Sequence, residues 1–472
     1  MTPNEFSLTE VADAIKTGAI SAVQALESCL DAIGAHDGAV NATVWIDREG
    51  ARSAAEAADR AVAAGDALGP LHGVPLAHKD MYYQAGKVSG CGSSIRGQWI
   101  APRTATVLDR LHDAGSITFA GLNMAEFAQN PTGHNRHHGD CHNPWRLPYI
   151  TGGSSSGSGA AVAARFTYGA LGSDTGGSIR LPASACGVVG LRPTQTRVSR
   201  AGVMPLSFSA DNVGPLTRTV RDCARMTRVI AGHDPADPTS ANEPVPDYEA
   251  ALTGDLRGMR IGLVTNPGLM GTDEPIVNGV SGAAQILAQR GAIIVPINVP
   301  YIDAVAAYGS IVSRCEGAAI HARWMRERPQ DYAIHLSARL YAGYAIPAVY
   351  YVEALSARGR LLRAFASEVF AQVDALILPT IPTVLPTLAD TDIDHGPPGT
   401  ETRFMAVSAN TRPFNYLGVP ALSVPCGLDP AGLPMGLQIV GRPFAEGRIM
   451  TIGDVYQRDT GWHRTLPTMT PQ

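Results

Sequence analysis

The sequence predicts an α/β fold: a single large α/β/α sandwich with a mixed, twisted central sheet, and N-terminal helices packed outside it. Three observations predict it. Residues 7 to 64 carry Ala-rich patterns with a 3.6-residue period. From about residue 70, short apolar runs alternate with Gly/Pro turns, which is strand-and-loop texture. "LRGMRIGLVTNPG", "PIVNGVSGAAQILAQRG" and "AIIVPINVP" then read as strand, helix and strand, a β-α-β unit with parallel pairing.

Each segment has its own signal. "SLTEVADAIKTG" opens with a capping-box spacing, Ser7 to Glu10, and stops at Gly18. "SAVQALESCLDAIGAH" and "DREGARSAAEAADRAVAAG" continue as helices, so residues 7 to 64 read as helical throughout. "HGVPLAHKD", "GSITFAGLN" and "ACGVVGLRPT" read as strands. "DPADPTSANEPVPDYEA" is polar and Pro-rich, either a weak boundary near 240 to 258 or a surface loop. Residues 302 to 372 read mostly as helix, and "VDALILPTIP" and "PALSVPCG…MGLQIVGRP" return to strands.

Bulk composition narrows the function classes. Of 472 residues, 45% are hydrophobic and 17% charged, which supports a large core and argues against disorder. Net charge is −5 with no block of like charge, so no nucleic-acid partner and no membrane surface are expected. The N-terminus lacks a basic and apolar leader pattern, and no apolar run approaches the roughly 20 residues of a span. Seven scattered cysteines form no CxxC pair, which predicts reduced thiols and a cytoplasmic location. A homodimer is compatible with all of this.

Two Ser/Gly-rich loops carry the chemistry: "TGGSSSGSGAAVAARF" from Thr151 and "GSDTGGSIRLP" from Gly172. A dinucleotide fingerprint fails because Gly157-Ser158-Gly159 lacks its third glycine, and no Walker lysine follows. Gly153-Ser154-Ser155-Ser156-Gly157 fits the GxSxG spacing of a nucleophile elbow, but "NPWRLPYI" before it is a poor buried strand. A serine-capped helix would explain either loop alone. The two loops come as a pair, however, and a lysine-bearing segment, "GPLHGVPLAHKDMYYQAG", precedes them.

"GVPLAHKD", "TGGSSSGSGAAVAA" and "ALGSDTGGSIRLPASACGVVGLRPT" together resemble the amidase signature family, the Ser-cisSer-Lys amidohydrolases. The resemblance is strong over about 70 to 235 and weaker over 375 to 450, where "PFNYLGVPALSVPCG…GLPMGLQIVGRPF" carries it. It implies the amidase signature fold, with residues 1–65 as an N-terminal helical segment and 66–472 as the amidase domain. Within that domain the catalytic loops occupy about 70–235, a more variable region about 255–370, and C-terminal strands and a helix 375–460.

The resemblance implies roles. Ser178 is the nucleophile, Ser154 the bridging serine held by a cis peptide, and Lys79 the base. The residue types suit these tasks. A serine hydroxyl attacks only after a base takes its proton, and a lysine serves as base only when burial or neighbours make it neutral. A hydroxyl donates and accepts at once, so it relays a proton. Thr175, Gly176, Gly177 and Ser178 offer consecutive backbone N–H groups for an oxyanion hole. Asp174 and Arg180 are expected to pair and support the loop. Ser155 either bonds Lys79 or satisfies backbone. Ser156, Thr151 and His78 depart from the family's usual text, and His78 is expected to face away from Lys79. No metal or organic cofactor is implied.

Other candidates lie outside the motifs. "HNRHHGDCH", from His134 to His142, fits no standard zinc spacing and reads as a polar loop or a substrate contact. Gln129 and Asn130 touch substrate or serve the loop. Tyr344, with Tyr341, Tyr350 and Tyr351, lines an acyl- or aryl-accepting pocket or packs between helices.

The leading expectation is a stand-alone amidase cleaving a small-molecule carboxamide, anilide or carbamate. The resemblance extends to the glutaminase subunit of the tRNA-dependent amidotransferases, the main alternative. Against it, "NTRPFNYLGVPALSVP" lacks an acidic residue to hold glutamine's amino group. A non-catalytic anion binder built on the Gly/Ser loops is the third reading.

Overall fold

A computed structural model describes residues 2–266, 269–271 and 273–469. Among these, eleven strands form one mixed sheet and fifteen α-helices surround it. The strands are β1 (Thr43–Ile46), β2 (Pro75–Lys79), β3 (Ile117–Leu122), β4 (Gly169–Ser173), β5 (Val189–Arg192) and β6 (Val213–Thr217). They continue with β7 (Arg260–Val264), β8 (Ile293–Ile297), β9 (Ala375–Pro379), β10 (Ala421–Leu428) and β11 (Pro434–Gly441). Their order is β1-β3-β2-β4-β6-β5-β10-β11-β9-β7-β8. β2 pairs in parallel with β3 and β4, and β7 with β8 and β9; the other pairs are antiparallel.

Strand periodicity makes this a layered fold. In β9, Ala375 and Ile377 join a core with helices Val220–Ile230, Glu274–Gln289 and Glu446–Thr460. Leu376 and Leu378 point the other way, into a core with helices Ile302–Glu327 and Ala348–Glu368. Alternate residues thus bury on opposite faces, and helices cover both.

The predicted β-α-β unit is β7, helix Glu274–Gln289 and β8, with parallel register Ile261↔Ile294. The first helix is Leu8–Lys16, capped by Ser7, whose N–H reaches Glu10 at 2.7 Å. One expectation needs correcting: residues 7 to 64 are not all helical. "TVWI" forms the edge strand β1, antiparallel to β3, because its β-branched and aromatic side chains suit a pleated surface. None of the seven cysteines is in a disulfide. No described helix is long and apolar enough to cross a membrane.

Candidate active site

The site forms where two parallel strands end. Lys79 is the last residue of β2 and Ser173 the last of β4, and the strands pair as Ala77↔Ala170 and His78↔Leu171. Loops at the carboxyl ends of parallel strands are where α/β sheets bind ligands. The loop after β4 carries Ser178. The loop before helix Ser156–Ala163 carries Ser154, and the Gly153–Ser154 peptide is cis. A Cβ at Gly153 would lie 2.4 Å from the Asn130 carbonyl oxygen, so glycine alone fits there.

Lys79 is fully buried. Its Nζ donates to Ser154 Oγ at 2.7 Å and to Ser173 Oγ at 2.9 Å. Burial drives its pKa down to about 7, although the carboxylates of Asp211 and Asp174 pull the other way. A substantial fraction of this amine is therefore neutral near pH 7. His78 faces away, its Nδ1 2.9 Å from the Lys79 carbonyl and its ring edge-on to Trp45 and Tyr82.

The Ser178 hydroxyl has no hydrogen-bond partner among the described residues and lines an open cleft. Its carbonyl accepts from the Ser155 N–H at 3.4 Å, which ties the two serine loops together. The structure thus makes the Lys79–Ser154 link and leaves the Ser154–Ser178 link open. Ser155 does not reach Lys79. Its Oγ donates to the Ser173 carbonyl and accepts from the Ser173 N–H, each at 3.3 Å, and so braces Ser173.

The turn from Asp174 to Ser178 is tied down by a buried ion pair and hydrogen bonds. Arg180 grips Asp174 through Nε at 2.9 Å and Nη2 at 3.0 Å, both side chains fully buried. Burial alone would raise the Asp174 pKa; the Arg180 charge and hydrogen bonds hold it well below the usual carboxylate range. Asn415 Nδ2 adds a bond to Asp174 at 2.7 Å. The Gly177 N–H donates to Asp174 Oδ1 at 2.8 Å and is thereby taken. Of the four donors expected, the N–H groups of Thr175, Gly176 and Ser178 have no hydrogen-bond partner among the described residues. Gly177 has φ +128°, and a Cβ there would come within 2.2 Å of Thr411 Oγ1.

Gln129 lines the same cleft as Ser178, is 4% exposed, and neither of its amide atoms has a partner. Asn130 lines it too, but its side chain is spent on its own loop: Oδ1 accepts from Thr132 and Gly133 N–H, and Nδ2 donates to the His134 carbonyl. Tyr344 is not brought into this cleft. Its hydroxyl donates to the Ala318 carbonyl at 3.1 Å, and it lines a separate surface groove with Phe208 and Tyr351, because its helix presents that side to solvent.

The histidine-rich loop is a hydrogen-bond scaffold. His134 bonds Asp140 and Thr391, His137 bonds buried Glu126, and His142 bonds the Leu147 carbonyl. Among the described residues, no group of three or more His, Cys, Asp or Glu is placed to hold a metal.

Sequence reasoning missed Ser173 and a group of cleft arginines, Arg314, Arg339, Arg358 and Arg412. Ser173 sits in "GALGS", whose small residues give a weak strand signal. It also lies inside "GSDTGGSIRLP", where roles are expected of Asp174 through Ser178 and of Arg180, and none of Ser173.

Residues 24–450 match the family described as Amidase. The chain belongs to the amidase family. It is a hydrolase acting on C–N bonds. It is 39% identical to a Glutamyl-tRNA(Gln) amidotransferase subunit of Geobacter metallireducens, over 97% of this chain and 98% of that one. Among solved structures, it resembles a chain from a vestigial protein complex that reveals the evolutionary origins of an s-triazine catabolic enzyme. The TM-score is 0.88 at 33% identity, covering 97% and 99% of the two chains. It also resembles a peptide amidase bound to the competitive inhibitor chymostatin, with TM-score 0.85 at 31% identity over 98% and 99%.

One expectation about this amidase is overturned. Its charge balance led to the expectation of no nucleic-acid partner, whereas the Geobacter relative is a subunit of an enzyme named for glutamyl-tRNA(Gln). Net charge reports direct, nonspecific attraction to phosphates. It says nothing of membership in an assembly.

Proposed function

We propose that this amidase works through an acyl-enzyme on Ser178, with Ser154 as proton relay and Lys79 as base. Ser178 Oγ attacks the amide carbonyl and gives its proton to Ser154, which passes its own to neutral Lys79 Nζ. The tetrahedral oxyanion rests on the N–H groups of Thr175, Gly176 and Ser178. Collapse breaks the C–N bond, and Lys79 returns the proton through Ser154 to the leaving nitrogen. Water then repeats the sequence on the ester and frees Ser178 and a carboxylic acid. A rotation of the Ser178 side chain toward Ser154 closes the relay, since catalytic hydrogen bonds commonly tighten only with substrate bound.

The observation that carries this reading is the 2.7 Å bond from buried Lys79 to Ser154, beside an unpartnered Ser178 hydroxyl in an open cleft. The test is a fluorophosphonate probe followed by peptide mass spectrometry. One label at Ser178 is expected; a label at Ser155 overturns the assignment. Lys79→Ala is expected to lower kcat far more than it raises KM.

A second reading shares this chemistry and differs in its setting: an ammonia-releasing subunit of a tRNA-dependent amidotransferase. The relatives' names favour it over a stand-alone amidase. Ammonia release from glutamine that appears only when partner subunits are added supports it. Turnover of small amides by the purified chain alone, without such dependence, counts against it.

A further inference from the structure

We infer that the cleft selects an amide that carries a carboxylate and no ammonium group, held by Arg314, Arg339 and Arg412 beyond the reacting carbonyl. This rests on the acyl-enzyme reading above and adds a substrate class to it.

The cleft that exposes Ser178 is lined by four arginines, and no acidic side chain among the described residues lines it. Arg358 is committed to the fold: its Nε donates to the Tyr416 carbonyl and its Nη1 to the Ser209 carbonyl, each at 2.6 Å. The other three are not. Arg339 has one long contact, from Nη2 to Ser313 Oγ at 3.5 Å, and its buried Nε has no partner. Arg412 reaches only Met405 Sδ, at 3.6 Å. Arg314 makes no side-chain hydrogen bond or ion pair among the described residues.

These three guanidiniums also repel one another. Burial pulls the Arg339 pKa down to about 9, and the charges of Arg412 and Arg314 pull the same way. Burial and Arg314 act together on Arg412, lowering it to about 10. Uncompensated charges of one sign in a partly buried site are costly unless a ligand supplies the opposite sign. Planar guanidinium groups match a carboxylate in a bidentate fork.

The location ties the group to the reaction. Arg412 lies against the oxyanion turn, since a Cβ at Gly176 would come within 3.7 Å of its Cγ. Arg314 and Arg339 come from helices Ile302–Glu327 and Ile334–Tyr344, which line the same cleft as Ser178. A substrate whose carbonyl sits at Ser178 extends its other end toward them. The carboxylates of Glu316 and Asp211 bond cleft residues, and both are spent: Glu316 on Ser207, Ser209 and Tyr351, and Asp211 on the Thr175 hydroxyl and the Leu206 and Ser207 N–H groups; neither lines this cleft.

The experiment pairs ω-carbamoyl carboxylates of increasing chain length with the neutral diamides of the same length, and adds glutamine. At the best chain length, the carboxylate form is expected to exceed its diamide in kcat/KM by about 10- to 100-fold, as a charge-assisted bond supplies. It is also expected to exceed glutamine. Its KM should rise with salt and that of the diamide should not. Arg339→Gln and Arg412→Gln should each cut the carboxylate-to-diamide ratio at least tenfold, and Arg339→Lys should restore part of it. Reading the ratio within each variant cancels general loss of activity, and the wild-type pairs decide the matter if a variant misfolds. Equal or better turnover of diamides or glutamine overturns this inference alone. Absence of all amide turnover together with absence of Ser178 labelling overturns the acyl-enzyme reading first.

Discussion

Lys79 Nζ lies 2.9 Å from Ser173 Oγ, across the carboxyl ends of two neighbouring parallel strands. The amine therefore has two hydroxyl partners, and the Ser173 hydroxyl also contacts Met81 Sδ at 3.1 Å. The proposed relay serine is one of these partners. The other, Ser173, lies inside "GSDTGGSIRLP", where the motif assigns it no role, and it is the amine's second hydrogen-bond partner.

Ser173→Ala removes an acceptor that supports the charged amine. The expected result is a fall in kcat of about tenfold, from the loss of one buried hydrogen bond worth about 1 kcal/mol or more. The pH–kcat midpoint should move down, because the ammonium form loses more than the neutral form. A midpoint that moves up, or an unchanged kcat, goes against this placing of Ser173.

Acylation should depend on the deprotonation of Lys79. Burial lowers this pKa from the usual lysine range to about 7, and the active form is the neutral one. The rate of ester or amide acylation therefore rises as pH increases through about 7 and is flat above it. Pre-steady-state acylation measured from acid to mildly alkaline pH checks this. A rate that is already flat well below the midpoint excludes lysine as base.

Arg180→Ala should destabilise the protein by about 3–5 kcal/mol, because it leaves the Asp174 carboxylate buried and unpaired. Thermal or urea unfolding measures the loss. Asp174→Asn with Arg180→Met should cost less than the sum of the two single changes. Additive losses mean that the two side chains do not act as a unit.

Gln129→Leu separates binding from folding. The native amide is buried with both polar atoms unpartnered, so its removal should leave Tm unchanged or higher. The value of kcat/KM should fall by about tenfold if substrate supplies the missing partners. A lower Tm with normal kinetics assigns Gln129 to the fold instead.

Much of this candidate site was legible in the sequence. Lys79, Ser154 and Ser178 are named because the segments that carry them resemble the amidase signature motifs; by themselves the residues show only two paired Ser/Gly loops and a lysine behind apolar residues. The Asp174–Arg180 pair was legible from its spacing, six residues apart around Ser178. Gln129 was named but not separated from Asn130, since only packing decides which amide is left unpaired. The strand β1 was hidden in a run of helical sequence.

What the sequence determined is the family, and with it hydrolysis of C–N bonds, because the motifs that carry the resemblance are short and local and can be read along the chain. What the tertiary structure alone decided is how the groups of the site are tuned and what they face. Ser173 reaches Lys79 only because β4 lies beside β2. Arg314, Arg339 and Arg412 line one cleft with Ser178 only because three helices, Ile302–Glu327, Ile334–Tyr344 and Arg412–Leu417, converge there. Burial and the summing of charge act through space, and distance along the chain does not record them.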